Sequence, residues 1–358
     1  MSFLGSKKVE SFFIIFLLAF SLLLTFDISV TKNALASQSE GDAVKLLEGA
    51  KKEGEVLLYS TLSVQEGDQL FKGFHEKYPS IKTKMYRASG ESILPRIVGE
   101  DQAKKYLCDV VSIPALLTDV LKKKNLLAKY LSPQGKFIPE VFKDPDGYWI
   151  GGYYMFNVLA YNTKLVAPKD VPRNYEDLLA PKWKGGKIGM DTGAINWFAN
   201  VLKIMGEEKG LEYMKKLSGQ DIKFRDGRAL NSQMVAAGEI SMTIPVLNHT
   251  TDRIKSQGAP IEWVAFEPVI VDINPPAVSA HAPHPNAARL FIDFMLSREG
   301  QEIIASIEKL PTRDDVNAGA AGARGKRFKI LPYDPSFTDQ YAKYAKLYHE
   351  VLMKKQSK

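Results

Sequence analysis

The chain has 358 residues, 45% of them hydrophobic and 25% charged, enough to bury a sizeable core and, at this length, to form two lobes rather than one. That excludes a disordered chain. Lysines and arginines number 48 against 41 acids, a formal charge of +7, but they are spread along the sequence, and the longest basic run, Lys122 to Lys124, reads as a solvated helix face and not a nucleic-acid interface.

Residues 1–36 read as a secretory signal peptide. Lys7 and Lys8 precede an uncharged apolar run from Ser11 to Phe26, and Ala34-Leu35-Ala36 supplies the cleavage pattern, with the cut expected after Ala36. The run falls short of the roughly 20 residues that a spanning helix needs. The single cysteine, Cys108, can form no internal disulfide and does not stand at the cleavage site, where a lipid anchor would need it. Without an anchor, the exported chain is expected in a Gram-negative periplasm.

The mature sequence opens on a short helix, Val44 to Glu55, closed by Gly54. Val56 to Tyr59 is a buried strand. Leu70, Phe71, Phe74 and Tyr78 stand at helical spacing until Pro79 stops them. Strands follow at Ile81 to Tyr86 and Cys108 to Ile113, with a helix from Ser92 between them. Apolar strands alternating with helices imply a parallel sheet. A Gly- and aromatic-rich stretch around Tyr148 to Tyr161 marks the crossing into a second lobe.

Alternation then resumes. Strands are expected at Lys187 to Met190, Asp221 to Phe224 and Ile240 to Leu247, with helices from Ala194 to Met205, Glu207 to Leu217 and Ala229 to Ala237. Ile261 to Ala265 and Pro276 to Ala280 read as return strands. Helices carrying Phe291, Phe294, Ile303 and Ile307 follow, then a polar stretch from Asn317 to Gly325 and a last amphipathic segment, Tyr341 to Met353. The expected division places 37–150 with 276–358 in the first lobe and 151–275 in the second.

In an open α/β sheet, ligands bind beyond the carboxyl ends of the strands. The candidates in the first lobe are Ser60, Thr61, Arg87, Ser89, Gly90 and Ser112. In the second they are Asp191, Thr192, Asn196, Asn248, His249 and Thr250. Hydroxyls, amides and one arginine suit a small anion, whereas a bare ferric ion wants several anionic oxygens, and only Glu91 and Asp191 offer them. Ser and Thr at such turns also serve as helix N-caps, a purely structural use.

Seven segments together resemble the ferric-ion type of extracellular solute-binding proteins: Lys52-Glu-Gly-Glu-Val-Leu-Leu-Tyr59, Arg87-Ala-Ser-Gly-Glu91, Ala160-Tyr-Asn-Thr163, Val235-Ala-Ala-Gly-Glu239, Gly258-Ala-Pro-Ile-Glu-Trp263, Phe294-Met-Leu-Ser-Arg-Glu-Gly-Gln301 and Leu310-Pro-Thr-Arg313. The resemblance implies a type II periplasmic-binding-protein fold, two α/β lobes joined by two crossing strands around a ligand cleft. It also implies a monomer that delivers its solute to a separate ABC permease and ATPase. Ferric members hold iron through adjacent tyrosines, helped by a histidine after the first strand. The matching stretches here read Asn248-His249-Thr250-Thr251 and Tyr59-Ser-Thr-Leu-Ser63, so that ligand set is missing. Tyr153-Tyr154 is expected to lie before the crossing strand and to serve in packing.

The expected function is therefore capture of a small anionic solute for an ABC importer, with no resident cofactor or metal. A ferric ion or ferric chelate is the alternative. A secreted hydrolase finds no support, because the sequence holds no G-x-S-x-G and no H-E-x-x-H, and prolines around His281-Ala-Pro-His284 favour a surface turn.

Overall fold

The computed structural model describes residues 41–316 and 328–353. The expected signal peptide and cleavage site and the polar stretch at Asn317 lie outside the described residues. Helix α1, residues 41–53, ends at Gly54, whose N–H donates to Ala50 O at 2.9 Å and whose φ of +73° is the left-handed stop expected from the sequence.

The first lobe is a five-stranded sheet in the order β2-β1-β3-β11-β4. Strands β1 (Glu55–Ser60), β2 (Lys82–Arg87) and β3 (Val110–Ser112) are parallel. Strand β11 (Pro276–Ser279) returns antiparallel between β3 and β4 (Leu127–Ala128). Helices α2 (Val64–Lys77), α3 (Gly90–Gln102), α4 (Ala115–Lys123), α9 (Pro285–Leu296) and α10 (Arg298–Ser306) cover it. On α2 and α9 the apolar stripes meet as Phe74, Phe291 and Phe294, whose rings pack edge to face.

Helix α2 opens with a complete capping box. Glu66 N–H donates to the Ser63 hydroxyl at 3.3 Å, and Ser63 N–H donates to the Glu66 carboxylate at 2.8 Å. Ser63→Ala is expected to cost about 1 kcal/mol, read as a lower denaturant midpoint. An unchanged midpoint would mean that the nearby Lys309–Glu66 ion pair, at 3.0 Å, holds the helix start unaided.

The crossing is made by β5 (Tyr153–Asn162), β10 (Val271–Asn274) and the short β12 (Leu310–Pro311). Strand β5 pairs with β10 and β12 through its first residues, then with β8 (Met242–Leu247) and β9 (Ile261–Val264) deeper in the second lobe. Its ten residues, nearly all buried, cannot be split between the lobes. The expectation that Tyr153 and Tyr154 precede the crossing strand is thus corrected, since they begin it. Sequence reading also passed over β10, a four-residue strand between two prolines.

In the second lobe β6 (Ile188–Asp191) runs parallel to β7 (Lys223–Arg225) and β8. The helices α5 (Ile195–Met205), α7 (Arg228–Ala237) and α8 (Asn248–Ser256) follow β6, β7 and β8, and α6 (Glu207–Ser218) packs on α5.

The last helix, α11 (Phe337–Tyr348), was expected with the first lobe. Its buried face, Phe337, Tyr344 and Tyr348, instead joins the core of the second lobe. Periodicity reports that a helix has an apolar face but not which sheet it meets. The segment leading into and along α11 grips both lobes: the Tyr333 hydroxyl donates to buried Asp119 on α4 at 2.7 Å, while Lys203 on α5 pairs with Asp334 at 2.8 Å.

Candidate functional site

On the first-lobe side the strand-end hydroxyls are largely engaged in the fold itself. The Ser60 hydroxyl, fully buried, accepts from Leu62 N–H at 3.1 Å. Ser89 caps α3 by accepting from Ser92 N–H at 3.3 Å and stays exposed. At Gly90 an added Cβ would stand 2.6 Å from Leu117 Cδ1, so the glycine is there to let α3 lie close on α4. Arg87, at the end of β2, is exposed and makes no ion pair or hydrogen bond among the described residues.

Of the other first-lobe candidates, one bonds a crossing strand and one is buried without a partner. The Thr61 hydroxyl donates to Asn274 Oδ1 on β10 at 3.3 Å and neighbours the Tyr153 phenol. Ser112, at the end of β3, is fully buried and its hydroxyl has no partner.

On the second-lobe side the helices after β6, β7 and β8 share a feature: none of α5, α7 and α8 has a side-chain cap. No side chain accepts from their first N–H groups, although that of Ile195 donates to Gly193 O at 2.8 Å. Asp191 is consumed locally, since its Oδ1 accepts from the N–H groups of Gly193 and Gly227, both at 3.1 Å. Gly227 reaches it only with a φ of +94°, open to glycine and costly for other residues. Thr192 bonds Asp226 at 3.4 Å near the surface.

The centre of the arrangement is a residue that sequence reading missed. Asp272 on β10 accepts from Asn157 on β5 and Asn196 on α5, both at 3.2 Å, and from Arg228 Nη1 on α7 at 2.7 Å. Two positions on, Asn274 bonds Thr61 of the first lobe. Side chains at i and i+2 on a strand share a face, so one face of β10 is keyed to both lobes. The alternation in Val271-Asp-Ile-Asn274 carried that signal. Arg228 could have been found by applying the strand-end rule to β7.

Asn248 and His249 open α8. Asn248 Oδ1 accepts from Phe156 N–H at 2.9 Å, which fixes α8 against β5, while its amide Nδ2 is buried without a partner. His249 Nδ1 is also buried and unpaired; its Nε2 lies 3.5 Å from the Thr250 hydroxyl. Burial pushes the His249 pKa down to about 3, and the positive charges of Lys309 and Arg253 add to that shift against the opposing pull of Glu66 and Asp272. The imidazole is therefore neutral at physiological pH. Lys309 and Glu66, which pair at 3.0 Å beside the start of α2, are among the charges that act on it.

No group of three or more His, Cys, Asp and Glu side chains among the described residues is placed to hold a metal ion. Tyr153 and Tyr154 point apart, the first toward Thr61 and the second into a stack with Phe142 at 4.6 Å between ring centroids. Burial pushes the Tyr154 pKa up to about 12, which disfavours the phenolate a ferric ion would want. His284 lies in a turn as expected, but its ring bonds the fully buried Asp109 at 2.9 Å. A groove of about 810 Å³ between α1 and α9 opens on the outer face of the first lobe, away from the strand ends.

A family described as bacterial extracellular solute-binding protein matches residues 111–336. Among curated proteins, the major ferric iron-binding protein of Neisseria meningitidis serogroup B is 25% identical over 249 residues, 63% of this chain and 71% of that one. Iron-bound HitA from Pseudomonas aeruginosa superposes with a TM-score of 0.72 at 24% identity, covering 83% of this chain and 99% of that one. The periplasmic binding protein AfuA from Actinobacillus pleuropneumoniae, solved with fructose-6-phosphate bound, superposes with a TM-score of 0.69 at 23% identity over 84% and 98% of the two chains. The type II periplasmic-binding-protein fold expected from the sequence is the fold found.

Proposed function

The chain belongs to the bacterial extracellular solute-binding protein family, whose members bind solutes for ABC importers, and from that premise we propose that its two lobes close on a small anionic organic solute without a metal ion. The observation that carries this reading is the set of buried, unpartnered polar atoms at strand ends and crossing strands: Ser112 Oγ, Asn157 Oδ1, Asn248 Nδ2 and His249 Nδ1. Buried polar groups without partners are costly, and a ligand that bonds them removes that cost when the lobes close.

The donors favour an anion. Three helix N-termini without side-chain caps, the Asn248 amide and the strand-end hydroxyl of Ser112 can donate, and exposed Arg87 adds a field that draws anions inward. Fructose-6-phosphate in AfuA shows that a protein of this fold can hold a phosphorylated sugar. The second reading is a ferric ion or ferric chelate, favoured by the iron-binding relatives but lacking their expected tyrosine pair at Asn248-His249-Thr250-Thr251. Export across the inner membrane, cleavage after Ala36, a monomeric state and delivery to a dedicated permease and ATPase complete the proposal. Among the described residues no helix is long and apolar enough to cross a membrane.

A thermal-shift screen of the chain from Ser37 onward tests the reading, because a ligand that binds only the folded state raises Tm by mass action. With a chelator present, at least one of inorganic phosphate, fructose 6-phosphate, a phosphonate or a small carboxylate is expected to raise it. Stabilisation by ferric citrate alone would overturn the anionic reading in favour of the second.

A further inference from the structure

Arg87 is the arginine that the sequence offers for an anion, yet it stands exposed and unpaired at the rim. Arg228 has a different setting. It is the first residue of α7, its side chain is 19% exposed, and its guanidinium is held on one edge by Asp272, with Nη1 to Oδ2 at 2.7 Å, while Nε stands 3.8 Å from Asp191 Oδ2. Among the described residues, Nη2 makes no hydrogen bond. The fork is thus fixed by one partner and has donors to spare, the condition in which an arginine reads an oxyanion directionally.

Independent observations mark the same place. Asp272, which holds Arg228, also holds Asn157, whose Oδ1 is buried and unpartnered. The adjoining residue of β5, Phe156, is bonded by Asn248, which is 1% exposed and has an unpartnered amide Nδ2. Asn196, in the first turn of uncapped α5, bonds Asp272 from another side. The first turns of α5 and α7 therefore converge on one carboxylate of the crossing strand, and that of α8 is fixed to the neighbouring strand β5. The uncapped starts of α5 and α7 beside it suit a phosphoryl group, which helix N-termini bind readily.

We propose that Arg228 is the specificity-determining residue of the cleft, that it binds the phosphoryl or phosphonyl end of the solute, and that Asp272 is the positioning residue that aims it. The assignment rests on the anionic reading above. Because Asp272 lies on β10 with Asn274, which is tied to Thr61, the anion bound at Arg228 sits on the strand that links the lobes, and the rest of the solute extends toward His249 and the first lobe.

The test is calorimetric titration of chelator-treated protein, from Ser37 onward, with fructose 6-phosphate, glycerol 3-phosphate, inorganic phosphate and citrate, and with fructose as the uncharged control. Wild type, Arg228→Lys, Arg228→Gln and Arg87→Ala are compared, with circular dichroism as the folding check. For a phosphate ester that binds, R228Q is expected to weaken affinity about a hundredfold and R228K about tenfold, since a lysine keeps the charge without the fork, while R87A loses less than fivefold. R228Q should also abolish the preference for a phosphate ester over its parent alcohol, a change that a merely structural role would not produce. If R228Q proves misfolded, R228K, which keeps the ion pair, decides. Unchanged affinity in R228K and R228Q, or loss in R87A alone, overturns the role of Arg228 and leaves the anionic reading standing. Preference for citrate over every phosphate overturns the phosphoryl assignment. Failure of every anion to bind wild type overturns both readings.

Discussion

Gln301→Ala is expected to lower stability by about 3 kcal/mol, because it leaves several buried backbone groups without partners, each worth about 1–3 kcal/mol. Gln301 is fully buried. Its Nε2 donates to Gly152 O at 2.6 Å and Met295 O at 2.9 Å, and its Oε1 accepts from Thr312 N–H at 2.7 Å. The Thr312 hydroxyl in turn donates to Gly151 O at 2.7 Å. Gly151 and Gly152 lead directly into β5, so these bonds fasten the foot of the crossing strand to the start of α10. A fall of about 6–12 °C in Tm follows from the entropy of unfolding for domains of this size, and a scanning melt measures it. A loss below about 1 kcal/mol would show that water replaces the amide and that the foot of the strand needs no side-chain anchor.

The second large effect is on the acid limb of the stability profile. His249 has a pKa pushed down to about 3 in the folded protein, whereas in the unfolded chain it titrates near the usual 6.5. Below about pH 6.5 the unfolded state therefore takes up a proton that the folded state refuses. The stability that His249 contributes is fully present above that value and is lost as pH falls toward the folded pKa, by at most about 1.4 kcal/mol per pH unit. His249→Gln, neutral at every pH, is expected to flatten the decline between about pH 6.5 and 5, above the range where most carboxylates titrate. Denaturant midpoints across that window check it. A variant as steep as wild type would mean that the imidazole is solvated and titrates normally. Lys309→Met should have a smaller effect of the same sign, since it removes one of the charges that hold the imidazole neutral.

Much of the fold was legible because its strands are short apolar runs with polar helices between them. Gly54 stopped α1 where a left-handed cap was expected, and the strands after Val56, Lys187 and Ile240 fell within a residue or two of their places. What failed was information that local pattern does not contain. The four residues of β10 are too few for a periodic signal, and the partner of the apolar face of α11 is a matter of tertiary docking. The segments ending in Gln301 and Arg313 carried the family resemblance, yet their work is structural: Gln301 and Thr312 anchor the foot of β5, and Arg313 is buried, with its fork on Asp315 at 2.8 Å and Nη1 on Gln134 at 3.1 Å.

The candidate site was half legible for a similar reason. The strand-end rule led to Thr61, which bonds β10, to Ser112, a buried hydroxyl without a partner, and to Asn196, Asn248 and His249 at the start of second-lobe helices. It also collected Ser60 and Ser89, whose hydroxyls cap turns, because sequence cannot separate a serine that bonds its own backbone from one left free for a ligand. Asp191, expected as an anionic oxygen at a strand end, has its Oδ1 bound by two backbone N–H groups. Arg228 and Asp272 escaped because their pairing joins residues 44 positions apart.

The most direct measurement is native mass spectrometry of the protein purified from the periplasm without added ligand, with the visible absorption spectrum of the same sample. The account predicts a bound organic anion of a few hundred daltons or less, released on denaturation, and no absorption band. A single bound ferric ion with a visible charge-transfer band would contradict it.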